Sequence, residues 1–170
     1  MKISIITVCL NSEATIEHTI QSVISQTYSD IEYILIDGKS SDKTMALVHQ
    51  YKEHFDKIVS EKDNGIYHAI NKGIELATGE VIGILHADDF YVNEEVITKV
   101  IQAFGSSGSD SVYGNLQYVS RKNQNNVLRN WISGSYKKSS FIYGWMPPHP
   151  SFFVKAQIYN TFGPYNTDLS

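Results

Sequence analysis

Four aspartates carry the clearest chemistry in this 170-residue sequence: Asp37 in "LIDGKSSD", Asp63 in "EKDNGIY", and the adjacent pair Asp88 and Asp89 in "GILHADDFY". Two neighbouring carboxylates repel each other and resist joint ionisation unless a cation or several donors neutralise them. A hard divalent ion, held through one or two carboxylates and by phosphate oxygens, resolves that conflict. Successive residues on a strand point to opposite faces, so both acids can serve one ligand only where the strand gives way to a turn. Asp37-Gly38 and Asp63-Asn64-Gly65 would also make good turns without any ligand.

The elements that must position these acids are short β-branched runs alternating with amphipathic stretches. Strands are predicted over 3–8, 31–36, 57–60, 80–85 and 110–119. Between them, Ile16, Ile20, Val23 and Ile24 share the face of a first helix capped at Asn11 or Ser12. A second helix starts near Ser41 or Asp42 and turns Leu47, Val48 and Tyr51 inward. A third covers roughly 66–78 and ends at Gly79 as a C′ residue. The fourth opens at Asn93, with Glu94 and Glu95 in its first turn, and buries Val96, Ile97, Val100 and Phe104 before "GSSGS" turns the chain. Four strand–helix units predict one α/β domain over 1–170, with a mostly parallel sheet covered by helices on both faces. In such sheets ligands gather beyond the carboxyl ends of the strands, where all four aspartates fall. After residue 120 the pattern breaks: "RKNQNN" reads as a polar hairpin or loop, and "GWMPPHP", with three prolines, as irregular chain.

Composition removes several functions. With 14 Lys and Arg against 18 Asp and Glu, the net charge of −4 supplies no general field for nucleic acid. The single cysteine, Cys9, makes no internal disulfide and reads as a small buried apolar residue, which fits a reducing cytoplasm. No apolar run is long enough to span a bilayer, so any membrane contact is expected to be peripheral, at the inner face of the plasma membrane.

The segments "ISIITVCLNSEATIEHTIQSVISQTYSDIEYILIDGKSSDKT" and "SEKDNGIYHAINKGIELATGEVIGILHADD" resemble the family 2 glycosyltransferases, inverting enzymes of the Rossmann-like GT-A fold that use nucleotide-activated sugars. The resemblance implies a nucleotide-sugar-binding half over 1–91 and a partial acceptor-binding half over 110–170. Residue by residue, it implies that Thr7, Cys9 and Asn11 line the nucleotide pocket, Glu13 helps hold base or ribose, and Asp37 and Asp63 contact the nucleotide. Asn71 and Gly73 match the "N-x-G" of the helix bordering the donor site. Asp88 and Asp89 match the DXD motif, with Asp89 the Mg²⁺ or Mn²⁺ ligand and Asp88 nearer the ribose or donor sugar. His149 is a second candidate for a metal or phosphate contact. The implied partners are a nucleoside-diphosphate sugar, UDP favoured over GDP or dTDP, and a saccharide or lipid-linked saccharide acceptor in bacterial surface polysaccharide synthesis.

The catalytic base of such an enzyme follows a stretch like "FGPYNTDLS", so it is expected beyond Ser170, and Asp168 is the candidate within the chain. Lys39 is expected to face solvent and His86 to pack rather than bind metal. Phe141, Tyr143 and Trp145 are expected in core packing, with an acceptor platform or a membrane-facing lip as the alternative uses. Competing readings are a nucleotidyltransferase, a phosphoacceptor signalling domain and a non-catalytic nucleotide-binding remnant. "TVCLNSEATI" lacks the glycine and lysine of a nucleotidyltransferase phosphate loop, and the signalling domain would place its acid pair after the first strand.

Overall fold

In the computed structural model, which describes residues 1–121 and 123–168, four parallel strands run side by side. They are β1 (Ile3–Cys9), β2 (Ile31–Asp37), β3 (Lys57–Ser60) and β4 (Val81–Ile84). β1 pairs with β2 and β4, and β2 with β3, in the order β3-β2-β1-β4. Every residue of β1 is buried, as expected for a strand covered on both faces. Ile3, Ile5 and Cys9 pack with Tyr33 and Leu35 against α1 (Ile16–Ile24), α2 (Thr44–Gln50) and α4 (Val96–Ser107). Ile6, Val8, Ile34 and Ile36 pack on the opposite face against α3 (Ile66–Leu76) and Ala156 and Tyr159 of α5 (Ala156–Phe162). The helices therefore cover both faces.

The second half departs from the sequence expectation. The stretch 110–119 is not one strand: β5 (Ser111–Tyr113) stays in the main sheet, and β6 (Leu116–Ser120) leaves it to pair with β7 (Asn123–Trp131). Residues 123–126 of the polar tract thus open the second strand of a hairpin, a strand nine residues long. Its exposed positions lack the apolar alternation that marks a half-buried strand. β8 (Phe152–Lys155), unpredicted, inserts antiparallel between β4 and β5 and completes a six-stranded sheet.

Gly114 ties off the excursion. Its N–H donates to the Ser151 carbonyl, while its own carbonyl accepts the hydroxyls of Ser133 and Ser151 at 2.6 and 3.0 Å.

Helix ends also differ. α1 begins after Thr15, with Ser12 accepting the N–H groups of Thr15 and Ile16 through its carbonyl, and α4 begins after Glu95. α4 runs through Ser107 and stops at left-handed Gly108, so "GSSGS" is partly helix. Gly79 is not the C′ residue of α3. A Cβ there would lie 2.6 Å from the Ser4 backbone nitrogen, so glycine permits close approach to β1.

Candidate functional site

The order β3-β2-β1-β4 reverses direction at β1, which makes the β1/β4 carboxyl edge the switch point where α/β sheets bind ligands. Beyond β4, Leu85 and Ala87 still donate to the Ile6 and Val8 carbonyls, and then the Asp89 N–H closes a turn on the His86 carbonyl at 3.0 Å. The Thr19 hydroxyl holds the Asp89 carbonyl at 2.8 Å. The acid pair therefore sits where the strand becomes a turn, as the sequence required. Asp88 is exposed and Asp89 half-buried. Burial first, and the Asp88 charge second, push the Asp89 carboxyl up to about 6.

The loops after β1 and β2 are laced together. Asn11, in the left-handed region at φ 51°, donates its N–H to Ser40 Oγ, and its side-chain oxygen accepts the Ser41 N–H at 2.9 Å. Glu13 accepts the Lys43 N–H at 2.8 Å, and Ser12 N–H donates to Thr44 Oγ1. Asn11 and Glu13 thus shape this rim, with Leu10 exposed beside them. Asp37 is wholly buried: its carboxylate accepts the Ser40 N–H, the Ser40 and Ser60 hydroxyls and the Cys9 thiol. In this conformation it ties β2, β3 and their loops. Burial, and then Asp37, push the Cys9 thiol up, so it stays protonated. Thr7 is fully buried with its hydroxyl 3.2 Å from that of Tyr33, so its side chain faces the core. Lys39 is exposed.

Asp63 is held differently. Its Oδ1 meets Lys72 Nζ at 2.7 Å and His68 Nδ1 at 2.9 Å, while its buried Oδ2 has no hydrogen-bond partner among the described residues. A Cβ built on Gly38 would lie 3.7 Å from that oxygen, which places it beside the end of β2. His68 and Lys72 were not picked out from the sequence. Their signal was the four-residue spacing that puts both on one face of α3.

The histidines form a stacked pair, with His86 Nε2 at 3.4 Å from His149 Nδ1 and ring centroids 5.4 Å apart. Burial lowers both below the ordinary imidazole value; the His149 charge lowers His86 further, and Asp88 partly opposes this. His149 Nε2 continues to the Tyr165 hydroxyl at 3.3 Å. Tyr165, also missed by sequence reasoning, is clamped by Asn71: its N–H donates to Asn71 Oδ1 at 2.9 Å and its carbonyl accepts from Nδ2 at 2.8 Å. Asn71, expected at the nucleotide, here joins positions 94 residues apart. Asp168 is exposed, with its N–H on Asn166 Oδ1.

A cavity of about 980 Å³ opens beside the acid pair, between the start of α1, α4 and the β6–β7 hairpin. Asp88, Asp89, His18, Val100 and Arg121 are in its wall. Among the described residues no three His, Cys, Asp or Glu side chains group as a metal cluster. The chain offers a carboxylate pair, one member raised by burial and by its neighbour's charge, and an ion held there would complete its coordination with water and phosphate oxygens. That donor set suits Mg²⁺ or Mn²⁺. The aromatic segment differs from the expected core packing: Trp145 is half-buried and touches Tyr113, Tyr136 and Phe141, while Tyr143 is 88% exposed.

Known proteins agree with this architecture. The chain is 29% identical over 167 residues to a PGL/p-HBAD biosynthesis glycosyltransferase of Mycobacterium bovis, covering 96% of this chain and 62% of the relative. It is 30% identical over 169 residues to an uncharacterized glycosyltransferase of Mycobacterium tuberculosis, covering 98% and 63%. It thus spans about three fifths of the length of these relatives. Among solved structures, residues 1–349 of S. aureus TarS superimpose with a TM-score of 0.77 at 18% identity, covering 100% of this chain and 52% of that one. The mannosyltransferase PcManGT of Pyrobaculum calidifontis, in complex with GDP-Man and Mn²⁺, gives 0.74 at 18%, covering 98% and 48%. The fold is that of the GT-A glycosyltransferases. With the model of glycosyl transferase family 2 matching residues 4–162, the chain belongs to that family.

Proposed function

We propose that the protein transfers a sugar from a nucleoside-diphosphate donor to an acceptor hydroxyl with inversion, in the synthesis of a bacterial surface polysaccharide. The observation that carries this reading is the Asp88–Asp89 turn at the switch point of the sheet, with Asp89 raised by burial and its neighbour. Asp89 would hold Mg²⁺ or Mn²⁺, with Asp88 toward the ribose or donor sugar, and the ion would offset the charge that gathers on the departing diphosphate. His149 lies at the same edge, where its neutral ring can accept a proton or donate an N–H hydrogen bond to a phosphate oxygen.

The base end of the donor lies toward β2 and β3 in this reading. From β3 to β4 there are three strand spacings, about 14 Å, which an extended nucleoside diphosphate bridges. The unpartnered Oδ2 of Asp63 suits a base that presents a ring N–H, as uracil and guanine do. Asn11, Glu13 and the backbone of the β1 loop would border the ribose, and Thr7, Cys9 and Asp37 would support that wall from beneath. UDP-GlcNAc and GDP-Man in the named structural neighbours support a nucleotide-sugar donor. The acceptor would enter from the cavity beside α4, and its hydroxyl must lose a proton as it attacks the anomeric carbon opposite the leaving group.

Calorimetric titration of the folded chain with UDP, GDP and CDP, with and without Mn²⁺, tests this. Binding of UDP that strengthens with Mn²⁺ is expected. Failure of all three to bind would reject the reading.

A further inference from the structure

Charge is divided very unevenly along the sequence. Seventeen of the 18 acids lie before residue 111, and none occurs between 111 and 167. That same stretch carries Arg121, Lys122, Arg129, Lys137, Lys138 and Lys155. The net negative charge of the whole chain conceals a cationic second half.

Within it, the segment "YKKSSFIYGWM" exposes an unusual amount of apolar surface. Ile142 and Tyr143 are 82% and 88% exposed, and Met146 63%, around Trp145, whose indole N–H is anchored on the Ser133 carbonyl at 3.1 Å. Tyr136 and Phe141 brace the indole from the sides, so the patch is a built surface rather than a loose loop. Lys137 and Lys138 are exposed beside it, and neither enters an ion pair among the described residues. Contiguous exposed apolar surface marks an interaction site. Aromatic rings beside lysines match the chemistry of a bilayer interface, where rings sit among headgroups and cations meet anionic lipid. A water-soluble protein partner would equally cover the apolar atoms, but it would not call for a long acid-free tract around them.

We propose that the Tyr136–Met146 face, with Lys137 and Lys138, docks the protein on an anionic phospholipid surface. No helix among the described residues is long and apolar enough to cross a membrane, so this contact lies in the interface. The docking is separate from the donor chemistry at Asp63, Asp88 and Asp89.

The test is co-sedimentation of the 170-residue chain with phosphatidylcholine vesicles, alone or with about 30 mol% phosphatidylglycerol, at about 0.1 and 0.5 M salt. Binding is expected to the anionic vesicles, weaker at the higher salt, with a blue shift of tryptophan emission. The double variant K137A/K138A is expected to bind about 30-fold more weakly, at about a tenfold loss per 1.4 kcal/mol and roughly 1 kcal/mol per cation. Ile142→Ser is expected to lose about tenfold or more from the buried apolar side chain. Both variants should melt like the parent and bind UDP like it, which separates this result from the donor reading. Equal binding to neutral and anionic vesicles, no binding to either, or variants that bind like the parent would overturn the proposal. So would concentration-dependent dimerisation abolished by Ile142→Ser, which would assign the face to a second copy.

Discussion

Lowering the pH from about 7.5 to about 5 is expected to weaken Mn²⁺ binding in the presence of UDP by about tenfold through Asp89 alone. Burial and the Asp88 charge push the Asp89 carboxyl up to about 6, and in the proposed role only its ionised form ligates the metal. A competing proton divides the affinity by one plus the ratio of protonated to ionised carboxylate. That factor is close to 1 at pH 7.5, about 2 at pH 6 and about 11 at pH 5. A carboxyl at the ordinary value of 3.8 would leave binding nearly flat over the same range.

The phosphate of UDP also titrates near pH 6, so the comparison is made against Asp88→Asn. In that variant the neighbouring charge is gone while burial, the larger cause, remains. The step should move to lower pH without vanishing, whatever the absolute affinity. The same shift has a consequence for the metal-free protein. A raised carboxylate pKa means that the folded state holds the proton more tightly, so stability falls as pH rises from about 3.8 to about 6 and the penalty is complete above that. Discounted for partial exposure, the penalty is about 1 to 2 kcal/mol. Asp88→Asn should therefore raise the melting temperature at pH 7.5 by about 2 °C and change it little at pH 4. An unchanged step in the Mn²⁺ titration between parent and variant would refute the electrostatic reasoning, and a flat profile in both would remove Asp89 as the ligand.

Three further outcomes follow from the packing. Asn71→Ala removes both hydrogen bonds to the Tyr165 backbone and should cost about 2 kcal/mol in urea unfolding, with faster proteolysis after residue 160; a silent variant would show that the clamp contributes nothing. Burial alone would raise Glu32, but hydrogen bonds from Ser4, Thr78 and Lys57 hold it at about 2, so its contribution to stability is present above about 4.5 and is lost as pH falls toward 2. Glu32→Gln should flatten that acid limb of the stability profile, and an unaltered limb would contradict the assignment. Gly79→Ala drives a methyl group to 2.6 Å from the Ser4 backbone nitrogen and should lower stability by about 1 to 3 kcal/mol in thermal melts, whereas a neutral result would mean that the strand can shift.

The first half of the fold was legible because its strands and helices each carry their own period. The isoleucines of α1 and α3 repeat every four residues, and the acids fall where strand patterns stop. The second half was not legible, because β8 and β5 are only four and three residues long and take their place from cross-strand pairing rather than composition. β7 carries polar residues that no strand pattern flags. At the site, the DD turn could be deduced from sheet geometry. The engagement of Asn71 with Tyr165 could not, since a contact across 94 residues leaves no local trace. Asp37 looked like an available acid; its carboxylate is taken up by Ser40, from the loop after β2, and by Ser60, at the end of the neighbouring strand β3.

The knot at Gly114 gives the chain a replaceable part. Because Ser133 and Ser151 return to the residue at which the chain leaves the main sheet, everything from 115 to 150 begins and ends at one stitched point. The six-stranded sheet closes through β5, β8 and β4 whatever that excursion contains. Mutation can therefore lengthen, shorten or resurface it, and so reshape one wall of the cavity beside the acid pair, while the strand ends that carry Asp63, Asp88 and Asp89 keep their register.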